Sequence, residues 1–234
     1  MLIATNVTKK FGRLTALDNV SAVCNKGQTI ALIGPNGSGK TTFIKCLLGM
    51  VVPDSGFITF NQQNIIHDWR YRAAIGYMPQ TGRYPENMTI GQVFDMMKDI
   101  RRQPDIEYDE ELIHQFNLQG IMDKRMRALS GGTRQKVSAC LAFLFKPEVL
   151  ILDEPTAGLD PVSTEILKEK IRKEKQRGKL IIITSHILSD LDDIVTEVMY
   201  MQEGKLRFHT SLEQLKEDTG EQKLARAIAA IMQR

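Results

Sequence analysis

Apolar positions in the first third of the chain come in short segments broken by turn residues. Leu2, Ile3, Val7, Leu14, Leu17, Val20 and Val23 are punctuated by Gly12, Asp18-Asn19 and Asn25-Lys26-Gly27, which predicts strands. Ile30 to Ile33 is an unbroken apolar run and predicts a buried strand. Thr42 to Met50, with Phe43, Ile44, Leu47 and Leu48 at helical spacing, predicts a helix. Pro53-Asp54-Ser55-Gly56 reads as a turn, followed by strands at Phe57 to Phe60 and Ile75 to Met78.

From about Tyr84 to Lys146 the period changes. Val93, Phe94, Met96 and Met97, then Leu112, Ile113 and Phe116, lie at helical spacing, and the methionines read as core filling rather than a metal box. Apolar runs return at Val149 to Leu152 and Leu180 to Thr184, as expected of strands covered on both faces of a parallel sheet. Between them Asp160-Pro161 starts a helix, with Asp as cap and Pro in the first turn; Ile166, Leu167 and Ile171 form its apolar face and Gly178 stops it. A third helix is expected around Asp190 to Val195. Strand signals follow at Val198 to Met201 and Lys205 to Phe208, joined by a Glu203-Gly204 turn. In the tail, Gln222 to Met232, the residues Leu224, Ala227, Ile228 and Ile231 fall at helical spacing, and the pattern leaves open whether they pack on the domain or on a partner. Strands alternating with helices imply right-handed βαβ units and a largely parallel sheet, so the fold class is α/β. The segment 84–146 is expected to be a helical lobe inserted in that core.

Composition narrows the picture. The 234 residues suffice for one large α/β domain or two small lobes. A formal net charge of +3 is too weak to argue for nucleic acid. Lys124-Arg125-Met126-Arg127 and Arg172-Lys173-Glu174-Lys175-Gln176-Arg177 are basic clusters, but acids dilute the second, as on a solvated helix face. Cys24, Cys46 and Cys140 form no CxxC and no metal-ligand spacing, which suits a reduced, cytosolic compartment. Asn6 and Thr8 to Lys10 interrupt the apolar start, and Lys146-Pro147-Glu148 breaks the run from Val137 to Leu152. Neither a signal peptide nor a bilayer span is expected, so a membrane role would come through a partner.

Gly34-Pro35-Asn36-Gly37-Ser38-Gly39-Lys40-Thr41 fits G-x-x-x-x-G-K-[ST] and sits between an apolar strand and a helix, the context that a phosphate-binding loop requires. Glycines let successive amides wrap an anion, the helix start adds positive potential, Lys40 brings a point charge for the outer phosphates, and the Thr41 hydroxyl can ligate Mg²⁺. Asp153-Glu154 ends a buried strand, where open α/β sheets present ligands. Asp153 can hold Mg²⁺ beside Thr41. Glu154 suits polarising a water for attack on the γ-phosphate, a contribution of ~10²–10⁴-fold. Leu129-Ser130-Gly131-Gly132-Thr133 makes a second glycine-rich helix start, with Ser130 as cap and Val137, Cys140, Leu141 and Leu144 behind it. Phe11, before Gly12 in a polar setting, is either a purine-stacking ring or a core aromatic.

With these motifs in hand, the sequence resembles the nucleotide-binding subunit of an ATP-binding cassette (ABC) transporter, over roughly residues 1–210 and with the family's motifs in the family's order. The resemblance implies a single ABC ATPase domain over 1–234. Its parts are an α/β P-loop NTPase core with an N-terminal antiparallel β subdomain (1–83 and 147–210), the helical lobe (84–146) and a C-terminal helical tail (211–234). It implies that Phe11 stacks on adenine and that Gly34 to Thr41, continued by Thr42, form the Walker A. Gln80 becomes the Q-loop glutamine, contacting Mg²⁺ and the attacking water beside the transport-domain contact. Leu129, Ser130, Gly131, Gly132 and Thr133 match the LSGGQ signature, with Thr133 in place of the usual Gln, a departure not expected to abolish activity. Asp153 and Glu154 match the Walker-B aspartate and catalytic glutamate, Ala157 to Asp160 the D-loop, and His186 the switch histidine.

The implied ligands are ATP and Mg²⁺. The implied partners are a second ABC subunit, as a homodimer with each signature acting in trans, and a transmembrane permease. No nucleic acid is expected, and membrane contact comes only through the permease, at the inner face of the cell membrane. Gly76-Tyr77-Met78-Pro79-Gln80, Tyr84-Pro85 and Thr89-Ile90 are similar to cassettes that drive separate export-type membrane subunits. Leu129 to Val137, with Asp192-Asp193, resemble cassettes of the copper-processing system that matures nitrous oxide reductase. The alternative is a soluble cassette ATPase acting on nucleic acid or ribosomes, which would show salt-sensitive DNA or RNA affinity. Such relatives usually carry two cassettes or a long coiled-coil insertion, and this chain has neither.

Overall fold

The computed structural model describes residues 1–66, 68–101 and 107–232; residues 102–106 of the expected lobe and 233–234 of the expected tail lie outside them. The chain runs β1 (Leu2–Phe11), β2 (Leu14–Cys24), β3 (Thr29–Ile33), α1 (Lys40–Leu47), β4 (Ser55–Phe60), β5 (Gln63–Asn64), β6 (Ile75–Met78), α2 (Ile90–Arg101), α3 (Glu111–Gln115) and α4 (Gly131–Phe143). It continues with β7 (Val149–Asp153), α5 (Pro161–Gln176), β8 (Leu180–Thr184), β9 (Glu197–Gln202), β10 (Lys205–Ser211), α6 (Leu212–Thr219) and α7 (Leu224–Met232). These form two compact units, Met1–Arg72 with Lys175–Arg234, and Ala73–Glu174.

The first unit holds an antiparallel sheet ordered β2-β1-β4-β5 and the strand series β10-β9-β3-β8. In the series β3 lies parallel to both β8 and β9, and β10 returns antiparallel on β9. All five residues of β3 and of β8 are buried, which explains their unbroken apolar runs: each Ile or Leu removed from water contributes about 1.5–3 kcal/mol. Asp18-Asn19 does not end a strand. It lies inside β2, where Asn19 takes φ 53° beside a shift in the β1–β2 register, a bulge that Asn tolerates.

α1 starts two residues earlier than its apolar spacing suggests and ends at Leu47. Gly49 turns left-handed at φ 63°, Tyr71 Oη donates to the Leu47 carbonyl at 3.0 Å and an Arg72 Nη donates to the Gly49 carbonyl at 2.8 Å. The helix expected over Asp190 to Val195 is instead a 3₁₀ turn, Leu188–Asp190, followed by hydrogen-bonded turns. Leu191, Ile194 and Val195 are buried there without a regular helix, because the Thr196 amide is already committed to the Thr29 carbonyl at 2.8 Å and β9 must begin.

The second unit pairs β6 with β7 in parallel and contains α2, α3 and α4. α4 is buried most of the way round, with Gln135, Val137, Ser138, Ala139, Cys140, Ala142 and Phe143 all enclosed. Lys170 of α5, 1% exposed, reaches Asp109 Oδ2 at 2.5 Å, Glu111 Oε2 at 2.8 Å and Glu174 Oε1 at 3.2 Å. This cluster pins residues 109–111 to α5, and removing its buried cation Lys170 would cost about 3–5 kcal/mol. The three cysteines are free and buried. Burial pushes the thiols of Cys24 and Cys46 up to about 12 and 11, so they are inert rather than reactive. Among the described residues no helix is long and apolar enough to cross a membrane.

Candidate nucleotide-binding site

In the first unit β3 runs directly into the glycine-rich loop. A Cβ on Gly34 (φ 148°) would stand 2.0 Å from the Met201 carbonyl oxygen, and one on Gly39 (φ 104°) 2.6 Å from that of Ala16. Both positions therefore require glycine by conformation and by space. Gly39 caps α1 in the left-handed region and contributes no side-chain hydrogen bond to the first turn. Pro35, Asn36 and Gly37 at the tip are exposed, as is Thr41, while Thr42 is half-buried. Lys40 Nζ folds over the loop, donating to the carbonyls of Gly34 at 2.8 Å and Pro35 at 3.0 Å. Ser38 Oγ is buried with no hydrogen-bond partner among the described residues, a polar atom that a phosphate oxygen would satisfy.

His186 follows β8. Ala31 pairs with Ile183, so Gly34 and His186 each lie three residues past the paired positions, at the same end of adjacent parallel strands. The Ile187 amide donates to Ser185 Oγ at 3.0 Å, a side-chain turn that exposes His186. Phe11 ends β1 half-exposed, with Lys9 Nζ 5.5 Å from its ring centroid, which removes the core-aromatic alternative.

In the second unit Met78 pairs with Leu152, so Gln80 and Glu154 leave neighbouring parallel strands at their carboxyl ends. Asp153 is buried. Burial, with the Asp153 charge, pushes the nearby Tyr77 hydroxyl up to about 12. Glu154 takes φ 51°, a left-handed conformation that costs about 1–3 kcal/mol outside glycine and is found where function holds a residue in place. Ser130 Oγ accepts from the Thr133 amide at 3.2 Å and lies 2.9 Å from Thr133 Oγ1. Thr133 thus joins the cap of its own helix. Leu129 is buried just ahead of that cap. Gly131 has open space where a Cβ would go, and on Gly132 a Cβ would stand 2.7 Å from the Gly158 carbonyl oxygen. Asp160 caps α5, accepting from the Ser163 amide at 2.9 Å and the Ser163 hydroxyl at 2.7 Å. These bonds and Lys136, whose Nζ is 3.0 Å from Oδ2, hold the Asp160 carboxyl well below the usual carboxylate range.

A family model described as ABC transporter matches residues 17–157, more than half of this sequence. The chain belongs to the ABC transporter family. It is 32% identical over 226 residues to the lipopolysaccharide export system ATP-binding protein LptB of Haemophilus influenzae, with 93% of each chain covered. It is 33% identical over 210 residues to the lantibiotic transport ATP-binding protein SrtF of Streptococcus pyogenes, covering 88% of this chain and 89% of that one. A solved ATP-binding subunit of an ABC transporter superposes with a TM-score of 0.91 at 26% identity, over 99% of both chains. A dimeric, post-hydrolysis ATP-binding cassette bound to ADP and phosphate superposes at 0.80 over 91% of this chain and 99% of that one; at 22% identity that likeness is of fold alone. The protein is an ATP-binding subunit of this family, with an ABC ATPase domain.

Two side chains of this ABC ATPase that belong to no expected site tie α4 to the segment after β7. Gln135 Nε2 donates to the Glu154 carbonyl at 3.4 Å, and Lys136 pairs with Asp160. Both stand on α4 just after the Gly131-Gly132 pair. Opposite charge on Lys136 and Asp160 was the only sequence signal for either contact.

Proposed function

We propose that two copies of this cassette close over two ATP molecules, and that hydrolysis reopens them to drive a separate transmembrane permease. Each ATP lies between one copy's Gly34–Thr42 loop and the other copy's Leu129–Thr133 segment. The observation that carries this reading is that one chain supplies one complete phosphate loop and one complete signature. A two-fold dimer uses such a pair of patches twice.

Phe11 stacks on the adenine. The loop amides and Lys40 hold the phosphates, and Glu154 takes the proton of the attacking water, worth ~10²–10⁴-fold. His186 and Gln80 orient the γ-phosphate and that water, and Asp160 reaches the other copy. Thr41, Gln80 and Asp153 all offer oxygen, the donor that Mg²⁺ prefers, so the donor chemistry fits the ion. When bound it would neutralise charge on the β- and γ-phosphates. A cavity of about 470 Å³, lined by Thr81, Gly82, Arg83, Tyr84, Glu86 and Arg134 among others, follows Gln80 directly and supports permease contact through the helical lobe. Such contact would hold the cassette at the inner face of the cell membrane.

Glu154→Gln tests the mechanism. With ATP it should elute as a dimer and turn over at least about a hundredfold more slowly; a monomer that hydrolyses ATP at the wild-type rate refutes the role of Glu154. The finer reading, export-type transport linked to copper processing for nitrous oxide reductase, rests on sequence resemblance, and the relatives named above are named for lipopolysaccharide and a lantibiotic instead. Loss of copper-loaded reductase from cells lacking the cassette supports it, and an unchanged reductase removes it.

A further inference from the structure

The C-terminal helix α7 contains none of the nucleotide motifs, yet it is fastened to the segment that follows His186. Leu224, Ala227 and Ile228 are buried at 0%, 0% and 5% exposure, the i, i+3, i+4 face of one helix. α7 packs on the Leu188–Asp190 turn and on α6. Its first amide, Leu224 N, donates to Asp192 Oδ1 at 2.8 Å. A helix leaves its first amides without intrahelical acceptors, so this carboxylate both satisfies the helix start and ties it to a residue six positions beyond His186. Leu191, Ile194 and Val195 are buried around Asp192, whereas His186 and Ile187 are exposed. The loop carrying the imidazole therefore has its root set by packing against α7, while His186 and Ile187 stand exposed at its tip.

We propose that Asp192 is a positioning residue for His186, acting through α7: the helix fixes the root of the 186–191 loop and so the reach of the imidazole. This rests on the role given to His186 above. Two variants of the full chain test it, because Asp192→Ala removes the acceptor while Asp192→Asn keeps an oxygen at its place. Asp192→Ala should lower kcat for ATP about tenfold at unchanged KM, as a small misplacement of a reacting group does. Asp192→Asn should return kcat to within about twofold of the wild type. Amide hydrogen exchange at 186–191 should quicken in Asp192→Ala and not in β3 or α1. Unchanged exchange at 186–191 overturns the contact whatever the turnover. Wild-type kcat in Asp192→Ala, with His186→Ala inactive, overturns the positioning and leaves the role of His186 intact. Wild-type kcat in His186→Ala overturns that role instead, and the exchange measurement then judges the contact on its own. Equal losses in Asp192→Ala and Asp192→Asn, with faster exchange throughout β3 and β8, would mark a general folding defect and overturn the proposal.

Discussion

Two glycine-rich helix starts sit in this chain, and they are finished in opposite ways. At α1 the cap is a left-handed glycine without a side-chain hydrogen bond, and the glycines are compelled by neighbouring carbonyls of the same unit. At α4 the cap is Ser130, whose hydroxyl engages Thr133, and Gly131 is pressed by nothing. At the first start no cap side chain engages the helix amides, as suits the anion site proposed there. The second is capped by its own side chain, and nothing in its surroundings demands glycine at 131. In the proposed dimer that open space faces the partner's nucleotide.

The contrast can be broken most severely at Gly34. Gly34→Ala drives a methyl into the Met201 carbonyl and should cost about 2–5 kcal/mol, with loss of nucleotide binding; a melting curve and a fluorescent-nucleotide titration check it. Gly131→Ala meets open space, so its melting should stay within about 0.5 kcal/mol of the wild type. Its ATPase should nevertheless fall at least about tenfold with monomer ATP affinity intact, as expected when a methyl misplaces a bound group. Full ATPase in Gly131→Ala would refute an approach by the partner's nucleotide at that glycine. Ser130→Ala should cost about 1 kcal/mol through the lost cap, whereas α1 offers no side-chain cap to delete. The smallest effect is in acid. Hydrogen bonds from Lys170, then Lys173, lower the Glu111 carboxyl from 4.5 to about 2. Its folded value lies below its unfolded one, so its contribution is full above about pH 4.5 and fades as pH falls toward 2. Glu111→Gln should flatten the pH dependence of melting across that window, and an unchanged slope would count against the ion cluster.

The parts of this molecule that could be read from its residues were those with a strict local cause. β3, β7 and β8 are buried on both faces and so carry unbroken apolar runs. The phosphate loop needs its glycines, and Asp160 announces α5. Where neighbours decide, the residues said less. The apolar spacing at Leu191, Ile194 and Val195 suits a helix, but the demand of β9 for Thr196 cuts it short. Asn19 looked like punctuation and is a bulge inside β2. Gln135 meets Glu154 from 19 residues away and Asp192 meets Leu224 across 32, separations at which no periodicity points from one to the other.

The contact of Gly132 with the Gly158 carbonyl gains force beside its neighbours. Together with Gln135 on the Glu154 carbonyl and Lys136 on Asp160, it sets one helix against the segment 154–160 that follows β7. In a closed pair, a shift of one copy's signature against its partner's nucleotide would be geared directly to that copy's own glutamate. The two hydrolytic events would then keep common time rather than run as independent clocks.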